Sequence, residues 1–308
     1  MTNNLNSFDS LEKLVLRGSK QTVAVAAAQS EEAMLAIEYA RQKKIIDAVL
    51  VGDLNLINEI CRKNDINPEN YQVIDVKEPV EAAAIAVELI QEGKAHLLMK
   101  GLVETSDFLR AVLNKDKGLK TNNRLCSVVL LEAQNKLIVL ADVGTNIAPD
   151  VDAKIGIIEC CTQVAKAVGV EVPKVAVLCA HEKVQIEAMP ATTEAALLSK
   201  MSERGQIKGG AIVEGPISMD IAVSVHAAET KNFKGKIQGD ANVLIVPDLE
   251  AGNILIKGLM YLSNDVRVAG VGMGAKVPLI LTSRGDDHDT KYFSIVLSAL
   301  VSQSEAMQ

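Results

Sequence analysis

The chain places its reactive residue types where apolar runs give way to short polar ones. The clearest case is Pro278-Leu279-Ile280-Leu281, which passes directly into Thr282-Ser283-Arg284-Gly285-Asp286-Asp287-His288-Asp289. A strand running straight into a helix puts Ser283 and Arg284 at the strand's carboxyl end. Ligands of open α/β sheets collect beyond that end, and the free N–H groups of a helix start attract anions. Arginine offers a planar fork that pairs bidentately with phosphate oxygens, and serine offers a hydroxyl that can donate to a carbonyl oxygen gaining negative charge. Asp286, Asp287 and Asp289 supply carboxylates in the same turn. The competing reading is a capped helix start with a surface ion pair.

A second junction of this kind is Leu98-Met99-Lys100-Gly101-Leu102-Val103-Glu104-Thr105-Ser106, followed by Arg110. Lysine at a strand end is a poor core residue, and Arg110 lies one turn into a helix that starts near Ser106, so Lys100, Thr105 and Arg110 are candidate anion ligands. A solvated helix arginine is the alternative. Three more segments read as shaped loops after strands: Asp142 to Asp150, Glu214-Gly215-Pro216 to Asp220, and Pro247 to Asn253. From these Asn146, Asp220 and Asn253 are candidate substrate-binding groups; each could instead bond its own loop. Gly270-Val271-Gly272-Met273-Gly274 precedes a strand rather than joining strand to helix, the wrong order for a dinucleotide site. The sequence contains no P-loop, HExxH or G-x-S-x-G segment, and its four histidines are scattered.

The elements that must position these groups alternate along the chain. Segments 22–27, 31–43, 47–51, 54–64, 71–76 and 80–92 read as strand, helix, strand, helix, strand, helix, with Val- and Ile-rich strands suited to a parallel sheet covered on both faces. Ser30 and Asp53 sit where N-caps belong, and Pro79 where a first helical turn tolerates proline. Segments 127–131 and 136–140 predict an antiparallel hairpin. From 150 the alternation resumes, with helices expected over 220–229 and 252–262 and strands over 267–271 and 279–282, and ends in a helix from 289. The class is α/β with two lobes, one formed by 1–135 and 283–308 and the other by 136–282.

Composition narrows the function. With 308 residues, 48% of them hydrophobic, the chain can fill two cores. A formal net charge of -7 argues against duplex nucleic acid as a partner, and 3% aromatic residues argue against base stacking. No apolar run approaches the ~20 residues that a bilayer requires. The first residues lack a basic segment followed by an apolar one, so the expected location is cytoplasmic. Five cysteines without paired spacing read as small buried hydrophobes, and no metal site is expected.

Lys100 to Thr105, Glu214-Gly215-Pro216 with Asp220, Pro247-Asp248-Leu249-Glu250-Ala251-Gly252-Asn253 with Lys257, and Thr282 to Asp287 together resemble the phosphate acetyl/butyryltransferase family, in order and spacing, over nearly the full chain. The resemblance implies an isocitrate/isopropylmalate dehydrogenase-like two-lobed fold with the active site in the interlobe cleft, and a homodimer. It implies direct attack of phosphate on an acyl-CoA thioester to give an acyl phosphate and CoA, with no tightly bound cofactor. Carried over, Arg284 holds phosphate, Ser283 stabilises the carbonyl oxygen and Arg110 is a second anion-binding arginine. The base aspartate of the acetyl branch aligns on Thr290; Asp289 stands one residue earlier and takes that role, with Asp287 in reserve. The turn 283–287 and the lead-in 272–276 look more like the butyryl branch. Acetyl transfer is the alternative within the family. A nicotinamide-dependent dehydrogenase of related fold and a non-catalytic acyl-CoA binding protein are the alternatives outside it.

Overall fold

The computed structural model describes residues 6–282 and 285–304. Its N-terminal stretch opens on α1 (Phe8–Val15), which buries Phe8, Leu11 and Val15 at helical spacing. No element was expected from sequence there. β1 (Gln21–Ala26), α2 (Glu31–Gln42), β2 (Ile46–Gly52), α3 (Leu54–Lys63), β3 (Gln72–Asp75), α4 (Pro79–Gln91), β4 (Leu97–Lys100) and α5 (Thr105–Val112) follow. Ser30 caps α2 by accepting from Ala33 N, and Asp53 caps α3 by accepting from Asn55 N and Leu56 N.

The middle of the chain begins with the expected hairpin, β5 (Cys126–Ala133) and β6 (Lys136–Ala141), paired antiparallel from Val129 opposite Leu140 to Ala133 opposite Lys136. It continues through α6 (Val151–Ala167), β7 (Lys174–Leu178), α7 (Pro190–Glu203), β8 (Ile212–Ile217), α8 (Met219–Val223), α9 (Val225–Thr230), β9 (Val243–Ile245) and α10 (Leu249–Leu262). β10 (Arg267–Met273), β11 (Leu279–Ile280) and α11 (His288–Gln303) close the chain. Three sequence expectations change. Glu214-Gly215-Pro216 lies in β8 and not in a loop, the helix expected over 220–229 is broken at Ser224, and Pro247 to Asn253 is the cap and first turn of α10. Gly270 and Gly272 lie inside β10 and ahead of β11, not between a strand and a helix.

Two compact units result, Phe8–Leu125 with the chain from Ala269 onward, and Cys126–Val268. These limits fall at 125/126 and 268/269, where the sequence reading put them at 135/136 and 282/283. Pairing explains the difference: β5 stays with its hairpin partner β6, while β11 pairs with β4 and carries the preceding residues with it. In the first unit the strand order is β3-β2-β1-β4-β11-β10, parallel except that β10 runs antiparallel to β11. Its core joins Ala24, Val51, Leu98, Ala82, Ala86 and Phe108, and the small residues of β1 and α4 let helix and sheet pack closely. α11 packs on α1 through Phe8 and Phe293, whose ring centroids are 4.8 Å apart. In the second unit the order is β5-β6-β9-β7-β8, with β6, β9, β7 and β8 parallel.

Candidate active site

β4 and β11 are parallel neighbours in the first unit, with Leu98 opposite Leu279 and Met99 opposite Ile280. The polar segments that follow them therefore leave the sheet side by side at its carboxyl edge. On the β4 side, Gly101 N donates to Ala26 O at 2.8 Å and Leu102 N to Ala27 O at 2.7 Å. This loop can cross the end of β1 only because residue 101 is glycine: a Cβ there would lie 2.2 Å from Ala27 O. Lys100 Nζ donates to the carbonyls of Gly101 (3.3 Å) and Val103 (3.1 Å), which keeps the ammonium at the strand end. Thr105 is the first residue of α5. Arg110, 73% exposed in its side chain, pairs with Asp107 one turn back.

On the β11 side, Ser283 and Arg284 lie outside the described residues. Asp287 is the N-cap of α11, and its carboxylate accepts from Thr290 N at 2.7 Å. That backbone donor, with help from Lys291 and His288, holds its pKa below the usual carboxylate value. Asp289 is exposed in the first turn of α11, and the His288 ring meets Tyr39 edge-on with centroids 5.1 Å apart. Lys291, 4% exposed, donates its ammonium to the Asp286 carbonyl and so ties the loop to the helix. Sequence reasoning did not single out this residue, although a lysine within the apolar run of α11 was a visible signal.

Asn146, Asp220 and Asn253 belong to the second unit. Asp142, the residue after β6, is 2% exposed and organises the following loop. Its Oδ1 accepts from Gly144 N (2.9 Å), Thr145 N (3.0 Å) and Ser127 N (3.3 Å), and its Oδ2 from Asn146 N (3.2 Å) and Asn146 Nδ2 (2.5 Å). Asn253 Nδ2 reaches Val143 O at 3.2 Å from α10. Asn146 and Asn253 are thus brought to one loop, with Asp142 as the organiser that the sequence reading passed over.

Asp220 stands in a different cluster at the end of β8. Lys231 Nζ lies 2.8 Å from Asp220 Oδ2, Ser218 Oγ donates to Asp220 Oδ1 at 2.7 Å, and Ser218 also bonds Glu182. The lysine first, then the serine, lowers the Asp220 pKa to about 2. Behind this edge Lys154 of α6, 3% exposed, forms an ion pair with Glu194 of α7. Nearby Cys179 is pushed up to about 11 by burial, which leaves it a poor nucleophile at neutral pH. Among the described residues no group of three His, Cys, Asp or Glu side chains converges to hold a metal ion, and no helix is long and apolar enough to cross a membrane.

Known proteins give this arrangement a family. The chain is 42% identical over 299 residues to the phosphate butyryltransferase of Clostridium acetobutylicum, covering 96% of this chain and 98% of that one. It is 40% identical over 294 residues to the phosphate acetyltransferase of Thermotoga maritima, covering 94% and 99%. The crystal structure of a branched-chain phosphotransacylase from Enterococcus faecalis V583 superposes with a TM-score of 0.80 at 29% identity, over 92% of this chain and 99% of that one. Residues 76–299 match the "phosphate acetyl/butaryl transferase" family. That span takes in both loops beside β4 and β11 together with the Asp142 and Asp220 clusters, and the chain belongs to the phosphate acetyl/butyryltransferase family.

Proposed function

We propose that this acyltransferase is a phosphate butyryltransferase, converting butyryl-CoA and phosphate reversibly into butyryl phosphate and CoA, and that it works as a homodimer in the cytoplasm. The observation that carries the site assignment is the parallel pairing of β4 with β11, which supports one anion site built from the Lys100 loop and the 282–287 loop. In this reading the two-lobed, isocitrate dehydrogenase-like description of the fold is part of the proposal.

Arg284 grips phosphate bidentately, and Lys100 and Arg110 add positive charge for phosphate and CoA. A phosphate oxygen attacks the thioester carbon, and Ser283 donates to the carbonyl oxygen as charge develops on it. The carbon–sulfur bond then breaks and CoA leaves as a thiolate, which takes a proton. No acyl-enzyme forms. In the reverse direction Asp289 accepts the proton of the CoA thiol. Asp287 is the weaker choice, because its carboxylate is committed to capping α11 and its pKa is held down. Thr105, at the first turn of α5, is read as a hydroxyl ligand. Asn146 and Asn253 shape the loop that holds substrate, and Asp220 with Lys231 forms a polar rim.

The acetyl alternative draws on the Thermotoga maritima relative, nearly as similar as the clostridial one. The reacting atoms are the same for both, and one methylene in an apolar pocket changes discrimination by only about 1–3 kcal/mol. The decisive experiment follows CoA thiol release from butyryl-CoA and acetyl-CoA, with and without phosphate, in wild type and Arg284→Ala. Phosphate-dependent release favouring butyryl-CoA, reduced by a factor on the order of 10² or more in the variant, is the expected result. Release that ignores phosphate would replace the transferase with a thioesterase, absence of release would leave a binding protein, and a preference for acetyl-CoA would move the assignment to the acetyl branch.

A further inference from the structure

Among the described residues two lysines are buried, Lys154 at 3% and Lys291 at 4% exposure. Their partners differ. Lys154 faces the Glu194 carboxylate across α6 and α7. Lys291 gives its ammonium to the backbone carbonyl of Asp286 and, among the described residues, enters no ion pair. Its charge does reach the Asp287 carboxylate, whose pKa is lowered first by the Thr290 N–H and then by Lys291 and His288. That carboxylate, however, is turned to Thr290 N as the helix cap. A buried ammonium that has a carbonyl acceptor but no counter-charge is costly to keep.

The position of this charge adds to the cost. Lys291 is the fourth residue of α11, and a helical side chain points back toward the N-terminus, so the ammonium comes to rest at Asp286, just ahead of the Asp287 cap. This is the positive end of the helix dipole, where cations are disfavoured and anions favoured. The neighbours of Lys291 in the helix, Tyr292, Phe293 and Ile295, are buried apolar residues, so an uncharged side chain would suit the packing. One bound anion removes both penalties at once, because it neutralises the ammonium and satisfies the helix end. The loop that ends at Asp286 leaves the sheet beside the Lys100 loop, through the parallel pairing of β11 with β4.

We propose that Lys291 is a buried positive charge of the phosphate site, left uncompensated in the free protein and neutralised when inorganic phosphate, or the phosphate end of an acyl phosphate, binds in the 282–287 loop. The proposal rests on the reading of that loop as the phosphate site. Two variants separate the charge from the hydrogen bond: Lys291→Met removes both, and Lys291→Gln keeps a donor without the charge. Each is followed by thermal unfolding in rising inorganic phosphate and by CoA thiol release from butyryl-CoA with phosphate varied. Without phosphate, Lys291→Met should unfold at or above the wild-type temperature, since it sheds an unbalanced charge. Phosphate should raise the Tm of wild type and leave that of both variants nearly unmoved. The KM for phosphate should rise by a factor of about 10 to 100 in both, with the KM for butyryl-CoA within about twofold of wild type. Variants with the wild-type phosphate KM and Tm response would overturn the proposal. So would Lys291→Gln behaving as wild type while Lys291→Met fails, which would make the lysine a mere tie to Asp286, or a Lys291→Met that is less stable without phosphate and loses both substrates equally. A wild type whose thiol release and Tm both ignore phosphate would instead overturn the phosphate site itself, and this inference with it.

Discussion

Gly252 and Asp142 are in backbone contact: a Cβ on residue 252 would lie 2.5 Å from the carbonyl oxygen of Asp142. The first turn of α10 therefore lies flat against the loop that follows β6, with Asn253 bonding Val143 O and Leu249 N bonding Ile147 O at 3.0 Å. Gly252→Ala must push these segments apart and should destabilise the chain by about 1–3 kcal/mol. Gly258→Ala on the same helix, with open space around it, should be neutral or stabilising. Urea midpoints of the two variants test the contrast, and equal midpoints would contradict the close approach.

Glu38 predicts how the first unit responds to acid. Its carboxylate is 12% exposed, accepts two bonds from Arg41 at 2.8 Å each and a further one from the Tyr71 hydroxyl. Arg41 above all lowers its pKa to about 2, against ~4.3 in an unfolded chain. Between these values the unfolded chain binds the extra proton and the folded one does not. The contribution is therefore complete above about pH 5 and is withdrawn as pH falls toward 2, with a size on the order of 2 kcal/mol. Glu38→Gln should lose this amount at pH 7 and show a shallower fall in stability from pH 5 to pH 2 than wild type, measured by urea unfolding across that range.

Lys154 and Glu194 form an ion pair whose ammonium is almost wholly out of solvent, at 4% and 33% side-chain exposure. Glu194→Gln leaves an ammonium without its counter-charge and should cost about 3 kcal/mol. The double variant Lys154→Met/Glu194→Gln removes both charges and should recover much of that loss. A double variant less stable than Glu194→Gln alone would show that the lysine is held by something other than the pair.

The two sides of the candidate site differ in how far their sequence revealed them. The strands that become β4 and β11 were legible, because each is a buried apolar run that breaks abruptly into polar residues. Asp142 was not, since its importance lies in the donors it collects from Ser127, Gly144, Thr145 and Asn146, and a strand-end aspartate looks the same in any turn. Lys231 is eleven residues from Asp220, beyond any local pattern. The Gly215-Pro216 pair reads as a loop because glycine and proline mixed with acids are the composition of a shaped turn, although proline within a strand also removes a ladder donor. It is tolerated in β8 because that strand is last in its order and bulges against β7 between Ala176 and Leu178. α10 begins three residues before the expected start because Asp248 caps it by accepting from Ala251 N at 2.8 Å, so Gly252 falls inside the first turn.

The carboxylates after Arg284 separate by what they already do. Asp287 gives its side chain to Thr290 N, a role asparagine also fills, so Asp287→Asn should change stability by less than about 1 kcal/mol and leave turnover near wild type. Asp289, two residues on in the first turn of α11, is the proposed base for CoA. Asp289→Asn should slow the synthesis of butyryl-CoA from butyryl phosphate and CoA by a factor of about 10² to 10⁴ at pH 7. A free thiol ionises near ~8.5, so raising the pH supplies thiolate without a base. The deficit of Asp289→Asn should accordingly shrink toward pH 9, whereas loss of a merely structural aspartate would give a deficit independent of pH. A pH–rate profile of both variants decides the matter: a pH-sensitive loss in Asp287→Asn with Asp289→Asn unaffected would transfer the role of base to Asp287.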